Sequence, residues 1–427
     1  MSRFSRFKNV ESRNLAIPSE MLALVLSGKG FENLSLKRIP VSRPGPNQFL
    51  GRVDAVFACS SDGKLIESGK DHPLMAGWDP ERWPVVIGHE GCITAVQIGA
   101  NLKGRIRIGQ TFALQPAINA GPINHLERYP NPESVNKVAV GYSLGGLFAE
   151  YILVQEEVIE TDSLIAYDGF KIPYFAAAFS EPLSCVYSSQ NQVPHIYKDG
   201  AASPRRVRLG LKEGGITLVL GAGPMGILHA DMAMMHRPRA IVISEPLEER
   251  RQQARVMIAG KARDRGVGFV VTAPPELSAV LDRISQGRGA DDCIAALGIA
   301  QIQQESLRYL AKGGIAVFFG GARTGESEIR VDTRRVHYDS ISMVGSSGGD
   351  PSDVHSVMTL LESGEISPEL YVRRVGGLDA ALDLIKSIRA QEFFGKGLIY
   401  PHTRQPLFPV ESWSGDEEAE FLDSHLP

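Results

Sequence analysis

The run Ile216-Thr217-Leu218-Val219-Leu220 leads directly into Gly221-Ala222-Gly223-Pro224-Met225-Gly226, so an apolar strand meets a GxGxxG turn and then a helix-like stretch. Few local patterns leave a chain so little choice. Gly221 allows the tight turn, Gly223 lets the backbone approach a pyrophosphate, and Gly226 lets the new helix pack on the strand. The helix N-terminus then offers free N–H groups to phosphates. In a chain with 44 glycines the spacing alone is weak, and the residues downstream of the turn decide its meaning. A second apolar run, Ala240–Ser244, ends at Glu245, 19 residues after Gly226, where an acid that binds the adenosine ribose is expected. Gly221, Gly223, Pro224, Met225, Gly226 and Glu245 are therefore the expected dinucleotide-binding residues.

From residue 216 onward, apolar runs at 216–220, 240–244, 267–271, 292–296, 315–319 and 341–345 alternate with polar-periodic stretches. Short buried strands separated by helices predict a parallel sheet covered on both faces, a doubly wound α/β domain. The first 160 residues read differently. Strand-like stretches at 23–26, 51–59, 93–98, 111–114 and 151–154 are punctuated by Gly and Pro, with few helical patterns, which predicts a mostly β domain. Helical periodicity at 353–363 and 378–390 and a final strand at 397–400 form a tail too short to fold alone, expected to return to the N-terminal domain. The expected division is 1–187 with 347–427, and 188–346. The acidic stretch 415–420 is expected to be a solvated tail or a frayed short helix. Arg3, Arg6, Lys8 and Arg13 among serines read as a solvated N-terminal arm, and Arg205, Arg206 and Arg208 as a solvated basic loop.

A hydrophobic fraction of 43% and a charged fraction of 22% over 427 residues belong to a globular protein with a large core and exclude a disorder-dominated class. The net charge of -4 gives no electrostatic footprint for nucleic acid or an anionic membrane. Four dispersed cysteines, Cys59, Cys92, Cys185 and Cys293, contain no CxxC pair, which argues against a disulfide framework and makes the cytoplasm the default reading.

Three polar clusters lie beside apolar runs in the N-terminal half: Cys59-Ser60-Ser61-Asp62, Gly88-His89-Glu90-Gly91 and Glu181-Pro182-Leu183-Ser184-Cys185. Cysteine, histidine and carboxylate together suit zinc, which takes S, N and O ligands and keeps one position open when catalytic. Separations of 30 and 92 residues are no local metal motif, and a single Cys or His is more often structural.

The order of motifs adds what spacing withholds. Cys-x-Ser-Asp, Gly-His-Glu, Gly145-Gly146 with Ala149-Glu150-Tyr151, Glu-Pro-Leu-Ser, GxGxxG and a late Gly-Lys-Gly resemble, over roughly residues 22–400, the zinc-dependent medium-chain dehydrogenase/reductase family. Within it the chain is similar to the polyol and ketose-reductase branch, including sorbose-1-phosphate reductase-like members. The resemblance implies a GroES-like, mostly β catalytic domain beside a Rossmann domain. It implies that Cys59, His89 and Glu181 hold the zinc, Glu181 directly or through water, with Glu90 entering the coordination sphere in some states. It assigns Asp62 to orienting His89 and Ser61 to the proton of the substrate oxygen. It further implies hydride transfer between NAD(P)(H) and a secondary alcohol or ketone of a polyol, sugar or sugar phosphate, and a homo-oligomer, dimer or tetramer.

Two departures refine this. Between Thr111 and Glu150 there is no cysteine, so one catalytic zinc and no structural zinc are expected, and no histidine near Asp62 supplies a relay imidazole. Glu245 would repel a 2′-phosphate and favour NAD(H), with NADP(H) the alternative because Arg250 and Arg251 stand close by; Arg250 matches a family position able to reach the adenine side. A zinc-free quinone or enone reductase of the same superfamily and a non-catalytic cofactor-binding protein are the rival readings.

Overall fold

A computed structural model of the chain describes residues 2–10, 16–119, 123–323 and 325–427, so Arg13 lies outside the described residues. Two compact units emerge: Met1–Pro182 with Asp350–Pro427, and Leu183–Gly349.

The second unit is built on six parallel strands, Ile216–Leu220, Ala240–Ser244, Gly268–Thr272, Ala290–Ala295, Leu310–Phe318 and Ser342–Gly345. In space the third, second, first, fourth, fifth and sixth lie side by side. The order reverses between the first and fourth strands, and the crevice beyond their carboxyl ends is where such sheets bind ligands. Every residue of the first two strands is buried, as a sheet covered on both faces requires. This is the doubly wound Rossmann sheet that the alternating runs predict.

The first unit is mostly antiparallel β. Its largest sheet has the strand Phe49–Ala58 between Glu90–Ile98 and Lys396–Tyr400. All ten residues of Phe49–Ala58 are buried, including Arg52 and Asp54, whose charges pair at 2.6 Å. Antiparallel pairing with Glu90–Ile98 sets Phe57 opposite Glu90, and pairing with Lys396–Tyr400 sets Ala58 opposite Gly397. The ends of three strands that are remote in sequence therefore meet beside Cys59.

Several local expectations are corrected by the fold. Within the first 160 residues, where few helical patterns are expected, Ser60–Ser68 is helical, begun by the Cys59 N–H donating to Asp62 Oδ2 at 2.8 Å. The basic N-terminal segment is not a free arm. Its helix Arg3–Lys8 sets Phe4 and Phe7 edge-on against Tyr174, with ring centroids 6.0 and 6.3 Å away. Residues 415–420 are neither a solvated tail nor frayed. They open a helix, Gly415–His425, that buries Glu418, Phe421 and Leu422. The basic segment before the Rossmann strand is exposed as expected but forms a β-hairpin rather than a loop, Pro194–Tyr197 with Arg206–Leu209, with Arg206 paired to Asp199 and Arg208 to Glu213. Among the described residues no helix is long and apolar enough to cross a membrane.

Candidate active site

In the first unit, Cys59 follows the central strand and caps the helix Ser60–Ser68, while Glu90 opens the neighbouring strand and His89 directly precedes it. One potential ligand atom from each of Cys59, His89 and Glu90 lies within 4.8 Å of the others, and the imidazole and carboxylate are buried. The backbone that permits this is tight. Gly88 has φ +99°, and a Cβ there would sit 2.6 Å from the Phe148 ring. A Cβ on Gly141 would lie 2.4 Å from the Gly88 carbonyl oxygen, so the turn bearing Tyr142 can press against His89 only because both positions are glycine. The Tyr142 and His89 rings are 5.4 Å apart.

Asp62 serves both sides of the group. One carboxylate oxygen accepts from the Cys59 N–H, and the other lies 3.1 Å from His89 Nδ1. The second approach is at ion-pair distance without hydrogen-bond alignment, and neither buried atom has another partner among the described residues. With Asp62 at Nδ1, Nε2 is the imidazole nitrogen available to a metal ion. Burial alone would lower the pKa of His89. The fields of Tyr142 and Asp62, together with the Cys59 side chain, outweigh it and hold the pKa well above the usual imidazole range. A pocket that favours a proton on its histidine is one whose field favours a cation. Sulfur, nitrogen and oxygen donors gathered in a negative, water-poor site fit zinc.

Lys396 completes the site from the other neighbouring strand. Its buried ammonium pairs with Glu90 Oε2. Desolvation opposes its charge, but Glu90, Cys59 and Glu181 raise its pKa above the ordinary lysine range. Glu90 is thus held on a cation rather than free to turn toward a metal. Glu181, on the helix Tyr174–Asn191, is 6% exposed and near enough to act on both Tyr142 and Lys396, yet it stands outside the 4.8 Å group. Ser61 is half-buried in the first turn of its helix, one residue before Asp62. Reading by residue type overlooks Lys396 and Tyr142. The late Gly395-Lys396-Gly397 motif is a signal for the former; nothing in local spacing marks the latter.

In the second unit the Gly-rich turn has the form its sequence requires. Gly221 has φ +101°, a Cβ on Gly226 would fall 2.0 Å from the Gly221 carbonyl oxygen, and nothing crowds Gly223, which faces open space as the cap of the helix Pro224–Ala233. Pro224 and Met225 form the first helical positions. Glu245 is buried, and its carboxylate accepts from Ala222 N–H at 2.8 Å and Leu247 N–H at 3.0 Å. It thereby ties the Gly-rich turn to the end of the second strand. Arg251 donates to the Glu245 and Pro246 carbonyls at 2.7 and 2.6 Å and pairs with Glu248, bracing the same corner. Arg250 is half-buried on the helix Glu248–Asp264.

Comparison with known proteins agrees with this architecture. Residues 224–363 match the family model for zinc-binding dehydrogenases. The chain is 30% identical over 420 residues to the mannitol-1-phosphate 5-dehydrogenase of Aliivibrio fischeri, covering 96% of this chain and 93% of that one. It is 26% identical to the L-sorbose 1-phosphate reductase of Klebsiella pneumoniae, covering 94% and 93%. Among solved structures, the 2R,3R-butanediol dehydrogenase of Bacillus subtilis aligns with a TM-score of 0.69 at 19% identity, covering 89% and 99%.

Proposed function

The chain belongs to the zinc-dependent medium-chain dehydrogenase/reductase family, and on that premise we propose that it is a zinc- and NAD(H)-dependent oxidoreductase interconverting a secondary alcohol of a polyol, sugar or sugar phosphate with its ketone. The observation that carries the reading is the convergence of Cys59, His89 and Glu90 in one buried group. The relatives named for mannitol 1-phosphate and sorbose 1-phosphate support the substrate class.

Cys59 and His89 would hold the metal, with Glu181 or Glu90 supplying the carboxylate. Bound there, zinc supplies Lewis-acid polarisation of the substrate oxygen. Asp62 keeps the imidazole turned by standing at Nδ1. Ser61 Oγ, one residue away on the same helical turn, would relay the proton in oxidation, accepting it from the substrate hydroxyl while its own hydroxyl proton passes on to solvent, and the relay runs backward in reduction. Lys396 balances the charge of Glu90 beside the group. In the cofactor unit, free N–H groups at the start of the helix Pro224–Ala233 bind the pyrophosphate. Glu245 accepts from the ribose hydroxyls with the lone pairs its two backbone bonds leave over. The edge strand Ser342–Gly345, with Met343 46% exposed, supports self-association through this sheet as a dimer or tetramer.

The test is elemental analysis of protein purified without chelator, run beside NADH oxidation with a panel of ketoses and ketose phosphates. About one zinc per chain with turnover of a panel member is the expected result. Active protein without zinc would refute the metal role and favour the quinone-reductase branch.

A further inference from the structure

The C-terminal helix Gly415–His425 places one carboxylate, Glu418, at 1% exposure in the interior of the first unit. Its oxygens accept from the Tyr174 N–H at 2.9 Å, the Phe175 N–H at 2.8 Å and the Tyr400 hydroxyl at 2.8 Å. Tyr400 in turn accepts from Trp413 Nε1 at 2.7 Å.

These partners are not scattered. Tyr174 and Phe175 are the first residues of the helix that carries Glu181, and their N–H groups have no acceptor within that helix. Six residues separate Phe175 from Glu181, a span of about 9 Å along the helix axis. Tyr400 ends the strand whose first residue is Lys396; with two residues per repeat, both side chains project from the same face of that strand. Lys396 holds Glu90, and the strand pairs with Phe49–Ala58 immediately before Cys59. One buried carboxylate therefore fastens both elements that bring Glu181 and Lys396 to the metal-binding group. The helix Arg3–Lys8 closes the same corner: the Phe4 N–H donates to Asp423 at 2.9 Å, and both phenylalanine rings lie on Tyr174.

We propose that Glu418 is a positioning residue for the metal site, setting the axial position of the Glu181 helix and the end of the Lys396 strand through its three hydrogen bonds. The proposal rests on the zinc reading of the site. Its mechanical basis is that a helix whose first N–H groups are held by a fixed, buried acceptor cannot slide or fray at that end. Without the acceptor, the first turn relaxes and Glu181 moves with it.

The experiment reads the metal site rather than turnover. Wild-type protein, Glu418→Ala, Glu418→Gln and a stability control, Leu102→Ala, are stripped of metal and titrated with cobalt(II) chloride, following the visible d–d bands. Leu102 is 1% exposed in the main core of the same unit and makes none of these hydrogen bonds, so its truncation lowers the melting temperature without acting on the site directly. Glu418→Ala is expected to shift the bands and weaken cobalt binding about tenfold, within the range seen when groups supporting metal ligands are lost. Glu418→Gln, which keeps the volume but offers one acceptor oxygen, is expected to fall between, and it carries the test if the alanine variant does not fold. Leu102→Ala is expected to leave bands and affinity unchanged. Folded Glu418 variants with wild-type spectra and affinity, or an equal shift in Leu102→Ala, would overturn the positioning role while leaving the metal reading intact. Wild-type protein that binds neither cobalt nor zinc would overturn both.

Discussion

Glu418 also has a consequence for stability that can be worked out before any metal is added. Burial pushes its carboxyl up from 4.5 to about 7, even though hydrogen bonds from Tyr400 and from the Phe175 and Tyr174 N–H groups act in the opposite direction. The folded state therefore holds the proton more tightly than the unfolded chain does. Its stabilising contribution is complete below about pH 4.5 and is lost as the pH rises through 7, where folding must keep an ionised carboxylate in the interior. Between pH 5 and pH 8 the loss amounts to about 2.5 kcal/mol. For a unit of this size that corresponds to roughly 5–10 °C in melting temperature. Glu418→Gln cannot titrate, and every other group whose pKa differs between the states is common to both proteins. Urea denaturation of the two proteins at matched pH values from 5 to 8 isolates the residue. The wild-type midpoint is expected to fall relative to the variant across that range, most steeply from pH 5 to 7. Curves that stay parallel would refute the argument, because they would mean that the carboxylate is solvated or paired in the folded state.

Other expectations concern the two sites separately. Cys59→Ser should lower zinc content to a small fraction of one per chain and cut turnover at least a hundredfold; full zinc with unchanged activity would remove Cys59 from the ligand set. Glu245→Ala leaves the Ala222 N–H without its carboxylate acceptor, so total cofactor affinity should drop, but the ratio of NADP(H) to NAD(H) use should rise about tenfold, equivalent to about 1.4 kcal/mol. An unmoved ratio in steady-state kinetics would deny Glu245 any part in cofactor choice. Gly226→Ala inserts a methyl group where 2.0 Å separates the new carbon from the Gly221 carbonyl oxygen, so the helix must lift from the strand. Fluorescence titration with NADH should show affinity weakened more than tenfold while zinc content stays at the wild-type level.

How much of this could be read from the chain differs sharply between its halves. The first two Rossmann strands, Ile216–Leu220 and Ala240–Ser244, match their apolar runs residue for residue, because a strand buried on both faces must be nearly continuously apolar and the glycine turn fixes the first one's end. The group of Cys59, His89 and Glu90 has no such local rule. Cys59 and His89 are thirty residues apart in sequence and meet only because Phe57 pairs with Glu90 across an antiparallel ladder, a register that periodicity does not specify. The resemblance to a family supplies those residues; spacing does not. The last helix shows the opposite failure. A window of Asp416, Glu417, Glu418 and Glu420 looks solvated by composition, and only the tertiary structure reveals that Glu418 has three donors waiting for it. Lys396 is concealed in the same way, since a lysine in an apolar strand makes sense only once Glu90 stands opposite.

The interrupted course of the first unit has a bearing on how the protein is made. Leu183–Gly349 is contiguous, and its sheet can assemble as soon as the ribosome has released it. Met1–Pro182 cannot finish at that stage. The strand Lys396–Tyr400 that flanks Cys59 and the helix that delivers Glu418 are translated only after the entire second unit. During that interval the end of the long strand, Val56–Ala58, has one unpaired flank, since Tyr151–Val154 covers only Phe49–Arg52 on that side, while Tyr174 and Phe175 lack their acceptor. The nascent polypeptide thus passes through a period with its Rossmann unit formed and a short sheet edge exposed in the other unit, the stage at which chaperone binding and aggregation compete for it.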